Sequence, residues 1–160
     1  MPYQHILLAT DFSAAARKAA SRSVELARLY QARLTLVHVV EHFPENLPVT
    51  MGAREDRDPK TYLMTLARDR LADLATELGV PEAAQVVRVS HRSARYEIQI
   101  FSEENAVDLI VLGSLPHGLL GSLGSTASGL LSTARCDLMV VRGTERSSAR
   151  ASAAAGQGEK

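Results

Sequence analysis

Short apolar runs alternate with longer amphipathic stretches along the chain. His5-Ile6-Leu7-Leu8-Ala9-Thr10 shows no polar alternation, which predicts a strand covered on both faces. Asp11-Phe12-Ser13 interrupts it, and Ser13 is placed to cap a helix. From Ala14 to Tyr30 the apolar positions Ala16, Ala20, Val24, Ala27 and Tyr30 share one helical face, whose small alanines would let the helix sit close to a sheet. Leu34 to Val40 reads as a second strand, and Glu41 to Arg57, with Pro44, Pro48 and Gly52, as a loop. Asp58-Pro59 pairs an N-cap with proline at the first helical position. Leu63, Leu66, Leu71, Leu74 and Leu78 then form a helical stripe, ended by Gly79 and Pro81. A strand from Gln85 to Ser90 follows, then a helix from Ala94 to Asn105 with Ile98 and Phe101 facing inward. Val107 to Leu112 is the next strand, Gly113 to Gly124 a glycine-rich segment, Ser125 to Arg135 a helix, and Asp137 to Val141 the last strand.

This β-α-β-α-β-α-β-α-β order predicts a doubly wound α/β domain, a parallel sheet with helices on both faces, over residues 1–143. Residues 144–160 contain no Leu, Ile, Val or Phe and read as a disordered Ala/Ser/Gly-rich tail. Lys plus Arg and Asp plus Glu number 18 each, and a net charge of zero argues against nucleic-acid or anionic-membrane binding. The apolar runs are too short to span a bilayer. The N-terminus lacks a basic region and turns acidic at Asp11, unlike a signal peptide. The single cysteine, Cys136, excludes an internal disulfide and a cysteine-cluster zinc site. The expectation is a cytoplasmic protein.

In open parallel sheets ligands bind at the carboxyl ends of strands. Three segments would meet there: Ala9-Thr10-Asp11-Phe12-Ser13, Val39-Val40, and the stretch from Gly113-Ser114 to Gly124-Ser125-Thr126. Glycines let backbone N–H groups approach an anion, and a helix N-terminus at Gly124-Ser125-Thr126 favours phosphate. Asp11, acceptor-only, would suit a ribose hydroxyl or a metal-bridged phosphate. The plainer alternative is that the glycines serve tight turns and Ser125 merely caps a helix. His38, inside a strand, reads as a packed core residue, while His117, in the glycine-rich segment, suits a phosphate contact or solvent equally. Cys136 reads as buried and unreactive, and Arg92 and Arg95 as solvated. No metal site is assigned.

Four segments in order carry a resemblance. Thr10-Asp11-Phe12-Ser13 after the first strand, Leu36-Val37-His38-Val39, Asp108-Leu109-Ile110-Val111-Leu112-Gly113-Ser114, and Gly124-Ser125-Thr126-Ala127 through Cys136 to Arg142 together look like the universal stress protein family. The likeness runs from Tyr3 to Arg142 and implies five strands in the order 3-2-1-4-5. Nucleotide-binding members carry Gly-x2-Gly-x9-Gly-Ser/Thr after the fourth strand. Here Gly113 and Gly124-Ser125 match the ends, but Pro116 stands in place of the second glycine and the span is two residues short. His117-Gly118 could restore part of the turn.

The resemblance implies a stress-response regulatory module that binds an adenine nucleotide, ATP or AMP, with Mg2+ accompanying ATP. Ala9, Thr10 and Asp11 would meet the ribose side and Val39 the adenine. Gly113, Gly124, Ser125 and Thr126 would hold the phosphates, and Ser114, His117 and Gly118 complete the candidate nucleotide-binding set. It also implies a homodimer, for which Leu138, Met139, Val140 and Val141 on the edge strand are suited. A nucleotide-free member acting through its homodimer or a protein partner is the second reading. An enzyme ranks third: the chain has neither a P-loop lysine nor a Gly-x-Ser-x-Gly elbow, and turnover would be slow.

Overall fold

A computed structural model describes residues 2–41, 59–114 and 123–143. Five strands, β1 (His5–Ala9), β2 (Arg33–Val40), β3 (Ala84–Val89), β4 (Leu109–Ser114) and β5 (Asp137–Arg142), form one sheet. The sheet is parallel throughout, in the order β3-β2-β1-β4-β5. Helices α1 (Ala14–Tyr30), α2 (Pro59–Glu77), α3 (Ala94–Glu104) and α4 (Ser125–Thr133) complete the α/β architecture. The hydropathy pattern therefore finds every element, and the strand order is the one the family resemblance implies.

β1 explains the apolar run that opens the chain. It lies between β2 and β4, and all five of its residues are buried. Ile6 and Leu8 face a core with Ala19, Ala20 and Val24 of α1 and Leu71, Leu74 and Ala75 of α2. Leu7 and Ala9 face the opposite core with Ile98 and Phe101 of α3 and Ala127 and Leu130 of α4. The period-2 alternation of a strand thus serves two layers of helices at once.

The helices return to the sheet by a shared device. In α1, Gln31 sits at φ 54° while Ala32 N–H bonds the Ala27 carbonyl at 2.9 Å. In α2, Gly79 sits at φ 67° while Val80 N–H bonds the Ala75 carbonyl at 2.9 Å. In α3, Ala106 sits at φ 49° while Val107 N–H bonds the Ser102 carbonyl at 2.9 Å. Each is a left-handed C-terminal cap that turns the chain into the next strand.

That device corrects several boundaries. Val107 belongs to the α3 cap, so β4 runs two residues later than its apolar pattern predicts and takes in Gly113 and Ser114. β3 begins and ends one residue early, at Ala84 and Val89, and α4 stops at Thr133. Leu66 is exposed, because the buried face of α2 is Ala67, Leu71, Leu74 and Ala75. Cys136 is half-buried rather than buried, and burial pushes its thiol pKa up. The segment from His42 to Asp58 and the tail from Thr144 to Lys160 lie outside the described residues.

At the amino end of the sheet the polar groups are closed off. Asp108 accepts from Gln4 N–H at 2.8 Å and His5 N–H at 3.2 Å. The buried His5 ring lies 2.7 Å from Arg33 through Nδ1 and 2.8 Å from the Thr35 hydroxyl through Nε2. Nδ1 also lies 3.0 Å from the Asn105 carbonyl oxygen, so the ring is held from three sides. Burial, aided by Arg33, holds the His5 pKa below its usual value. Burial likewise lowers that of His38. The unfolded chain therefore takes up protons first as pH falls through about 6.5. Stability is fully present above that pH and declines below it, toward the folded-state values. The urea midpoint should be lower at pH 5.5 than at pH 7.5. His38→Asn, which keeps a donor for the Thr10 carbonyl, should shrink the difference. Equal midpoints at the two pH values would refute this account.

Candidate functional site

Three strand ends converge at the carboxyl edge of the sheet. After β1, Thr10 N–H bonds the Val37 carbonyl at 2.9 Å, holding the turn against β2. The Thr10 hydroxyl accepts from Phe12 N–H at 3.0 Å, and Asp11 Oδ1 accepts from Ser13 N–H at 2.9 Å. These side-chain acceptors stabilise a tight turn in which Phe12 takes a left-handed φ of 62°. Ser13 then caps α1, its hydroxyl accepting from Ala16 N–H at 3.2 Å. The Phe12 ring stacks on His38 at 4.6 Å, and Arg70 lies 4.3 Å from its centroid. His38 Nδ1 is 2.8 Å from the Thr10 carbonyl oxygen, to which it donates. His38 is thus half-buried and committed to the turn. Asp11 is exposed and uses one oxygen on Ser13; no described residue bonds the other.

Of the cavities that adjoin this turn, two share Asp11, Leu112, Gly113 and Thr126. One, about 190 Å³, has walls of Val37, Val39, Ile98 and Leu112, with Asp11 and Glu41 among its polar groups. Glu41 accepts from the Ala94 N–H through Oε1 and so caps α3 beside Ser93. The other, about 320 Å³, is lined by polar and small residues: Ser13, Ser114, Gly124, Ser125 and Thr126 among them. The geometry is an apolar slot opening into a polar cleft, bridged by a carboxylate.

The polar cleft ends on the N-terminus of α4. Gly124 is its N-cap and supplies no side-chain hydrogen bond, whereas Ser13 and Ser93 cap α1 and α3. Ser125 is therefore the first helical residue, not the cap. The first backbone bond of α4 runs from Ser128 N–H to the Gly124 carbonyl at 3.0 Å. The N–H groups of Ser125, Thr126 and Ala127 precede it and have no partner within the helix. They and the helix dipole face the cleft with positive character.

Two glycines at this edge have different causes. Gly124 has φ 79° and ψ 158°, a conformation essentially confined to glycine, and no described residue lies within 4 Å of where a Cβ would stand. Gly113 is different, and its place is in a strand rather than in the glycine-rich segment that follows. It is the fifth residue of β4, and a Cβ there would lie 2.4 Å from the Ala15 carbonyl carbon and 2.5 Å from Ala16 N. Its lack of a side chain admits the backbone of α1, although it still borders both cavities.

Of the residues singled out in the sequence, Ala9, Thr10, Asp11, Val39, Gly113 and Thr126 line the apolar slot. Ser114, Gly124 and Ser125 line the polar cleft. The Ser114 hydroxyl is turned to the Leu123 carbonyl at 2.7 Å. His117 and Gly118 lie outside the described residues. Ser13, in the segment expected at this edge, lines the polar cleft; sequence reasoning missed Glu41 and Ala94 as lining groups, and it treated Ile98 as core alone. Among the described residues no three His, Cys, Asp or Glu side chains gather as a metal cluster. No described helix is long and apolar enough to cross a membrane.

Comparison with known proteins agrees with the fold. The universal stress protein family profile matches residues 2–142. Universal stress protein A homolog 1 of Coxiella burnetii is 30% identical over 148 residues, covering 88% of this chain and 97% of that protein. Homolog 2 of the same organism is 32% identical over 127 residues, covering 79% and 85%. Among solved structures, a universal stress protein in complex with cAMP superposes with TM-score 0.65 at 18% identity, covering 90% and 100% of the two chains. The Archaeoglobus fulgidus protein in complex with dAMP gives 0.59 at 19%, covering 88% and 99%. An Arabidopsis thaliana family protein with AMP bound gives 0.61 at 16%, covering 89% and 93%.

The Gly113 contact yields a direct test. Gly113→Ala forces a Cβ against the α1 backbone, which has little freedom to retreat, and should destabilise the fold by about 1–3 kcal/mol. Chemical denaturation measures it; an unchanged midpoint would mean α1 is not held by this contact.

Proposed function

The chain belongs to the universal stress protein family, and on that premise we propose that it binds an adenine nucleotide across the carboxyl ends of β1, β2 and β4. The observation that carries this reading is the pairing of an apolar slot with a polar cleft, joined at Asp11. The base enters the slot between Val39 and Ile98. The ribose hydroxyls donate to the unengaged Asp11 oxygen, and the first phosphate meets the N–H groups and hydroxyls of Ser125 and Thr126. The structural neighbours that hold cAMP, dAMP and AMP support a nucleotide of this type. AMP and the inner part of ATP make the same contacts. Mg2+ would accompany ATP as a counter-ion to its phosphates. The protein then acts as a stress-response module whose state reports nucleotide occupancy.

Calorimetry with AMP and ATP tests the reading. Binding in the micromolar to millimolar range is expected. Asp11→Ala should weaken it about ten- to a hundredfold, the worth of a charge-assisted hydrogen bond. Asp11→Asn keeps an acceptor for Ser13 N–H and should separate lost ribose contact from a disturbed turn. No heat at millimolar nucleotide, and none released from heat-denatured protein, would favour the nucleotide-free reading, in which the homodimer or a partner carries the function. The observation on that side is Pro116 where nucleotide-binding members have their second glycine.

We further propose a homodimer built on β5. It is an edge strand, and Leu138, Met139, Val140 and Val141 are only half-buried by the chain's own cores. An apolar parallel edge left open invites a second copy around a two-fold axis. Val140→Lys should shift sedimentation from dimer to monomer while far-UV circular dichroism stays native. A dimer indifferent to the substitution would place the interface elsewhere.

A further inference from the structure

Glu41 stands in the apolar slot on the side away from the polar cleft. Asp11, Leu112, Gly113 and Thr126 border both cavities and so mark their junction. Val39, Glu41, Ala94 and Ile98 line the slot and not the cleft. Val37 and Val39 of β2 turn to the core that holds Ile98 of α3. Alternate residues of an extended chain share a face, and Glu41, immediately after β2, continues that column into the slot. A carboxylate thus follows two valines along one wall.

That carboxylate is held in place by one of its oxygens. Oε1 accepts from the N–H of Ala94, the first residue of α3, which ties the end of β2 to the helix across the slot. No described residue bonds Oε2, and Glu41 is exposed, so the second oxygen is open to a ligand. The other polar side chains of the slot have different commitments. The Thr10 hydroxyl accepts from Phe12 N–H. His38 alternates to the opposite face of β2, where Phe12 stacks on it. Asp11 and Thr126 lie at the junction with the cleft. Glu41 is therefore the side chain that brings a fixed acceptor to the part of the slot remote from the cleft.

We propose that Glu41 reads the base: its second oxygen accepts an N–H from the exocyclic amino group of adenine, so the slot selects a 6-amino purine over a 6-oxo purine. This deepens the nucleotide reading given above and rests on it. With the ribose at Asp11, the purine edge remote from the glycosidic bond is the one directed into the slot, and that edge carries the amino group. An ionised carboxylate accepts and cannot donate. It therefore favours the amino group and opposes the carbonyl oxygen that hypoxanthine presents at the same position. A site built around a hydrogen bond rejects an analogue that cannot make it far more strongly than apolar walls reject a change of shape.

Titration calorimetry with AMP and IMP on the wild type, Glu41→Gln and Glu41→Ala decides it. The wild type should bind AMP about ten- to a hundredfold more tightly than IMP. Glu41→Gln keeps a carbonyl oxygen for the Ala94 N–H and turns an amide N–H toward the base. It should weaken AMP and strengthen IMP, cutting the ratio of the two affinities by about tenfold or more. Glu41→Ala offers the base neither group and should bring the two affinities within about threefold of each other. The ratio is taken within one variant, so a change in stability from the altered α3 cap cancels. A wild type that binds IMP as tightly as AMP, or a ratio unchanged in Glu41→Gln, would overturn the role of Glu41 and leave the nucleotide reading standing. An equal loss of both nucleotides in the variants would overturn it too, making Glu41 a structural cap of α3. If the wild type binds neither, both the nucleotide reading and this one fall.

Discussion

The carboxyl edge of the sheet depends on how closely α1 approaches β4. The gap is set by Gly113, where a single methyl group would meet the backbone of Ala15 and Ala16. Because the helix can come this near, the turn from Thr10 to Ser13 is drawn over the strand ends and does not splay into solvent. Thr10 then reaches the Val37 carbonyl, Asp11 caps Ser13, and the Phe12 ring drops onto His38. Asp11 consequently stands where the slot and the cleft meet. Small residues along α1, with Ala15, Ala16, Ala19 and Ala20 all buried, extend the same close contact down the sheet. A few missing methyl groups thus decide the shape of the site before any ligand is considered.

The elements were legible because each strand is an apolar run between breakers and each helix carries a stripe. Where the reading slipped, a residue's local meaning and its tertiary meaning diverged. Val107 is apolar and looks like strand, yet its N–H closes the left-handed cap of α3. Gly113 looks like loop, yet it is strand, and its glycine answers to a helix distant in sequence. Gln31 and Ala106 occupy left-handed caps that would ordinarily suggest glycine, so neither cap could be read from residue type.

The site was legible in part for the same reason. Asp11, Thr126 and the Gly124 turn follow strands in the pattern that open sheets use, and they do line the cavities. Glu41 closes a strand and opens a loop, and nothing local announces that it caps α3.

The two ends of the sheet differ in how completely they satisfy their polar groups. At the amino end Asp108, His5, Arg33, Thr35 and the Tyr3–Asp137 bond form a closed network. A network satisfied on all sides rigidifies but has no valence left for a ligand. At the carboxyl end the same fold leaves α4 without a side-chain cap, and no described residue bonds the second oxygen of Asp11. The left-handed Phe12 adds backbone strain at the same edge, held by the stack with His38 and Arg70. Unengaged polar groups on one edge, and a closed network on the other, are what a domain looks like when stability is concentrated away from its candidate site.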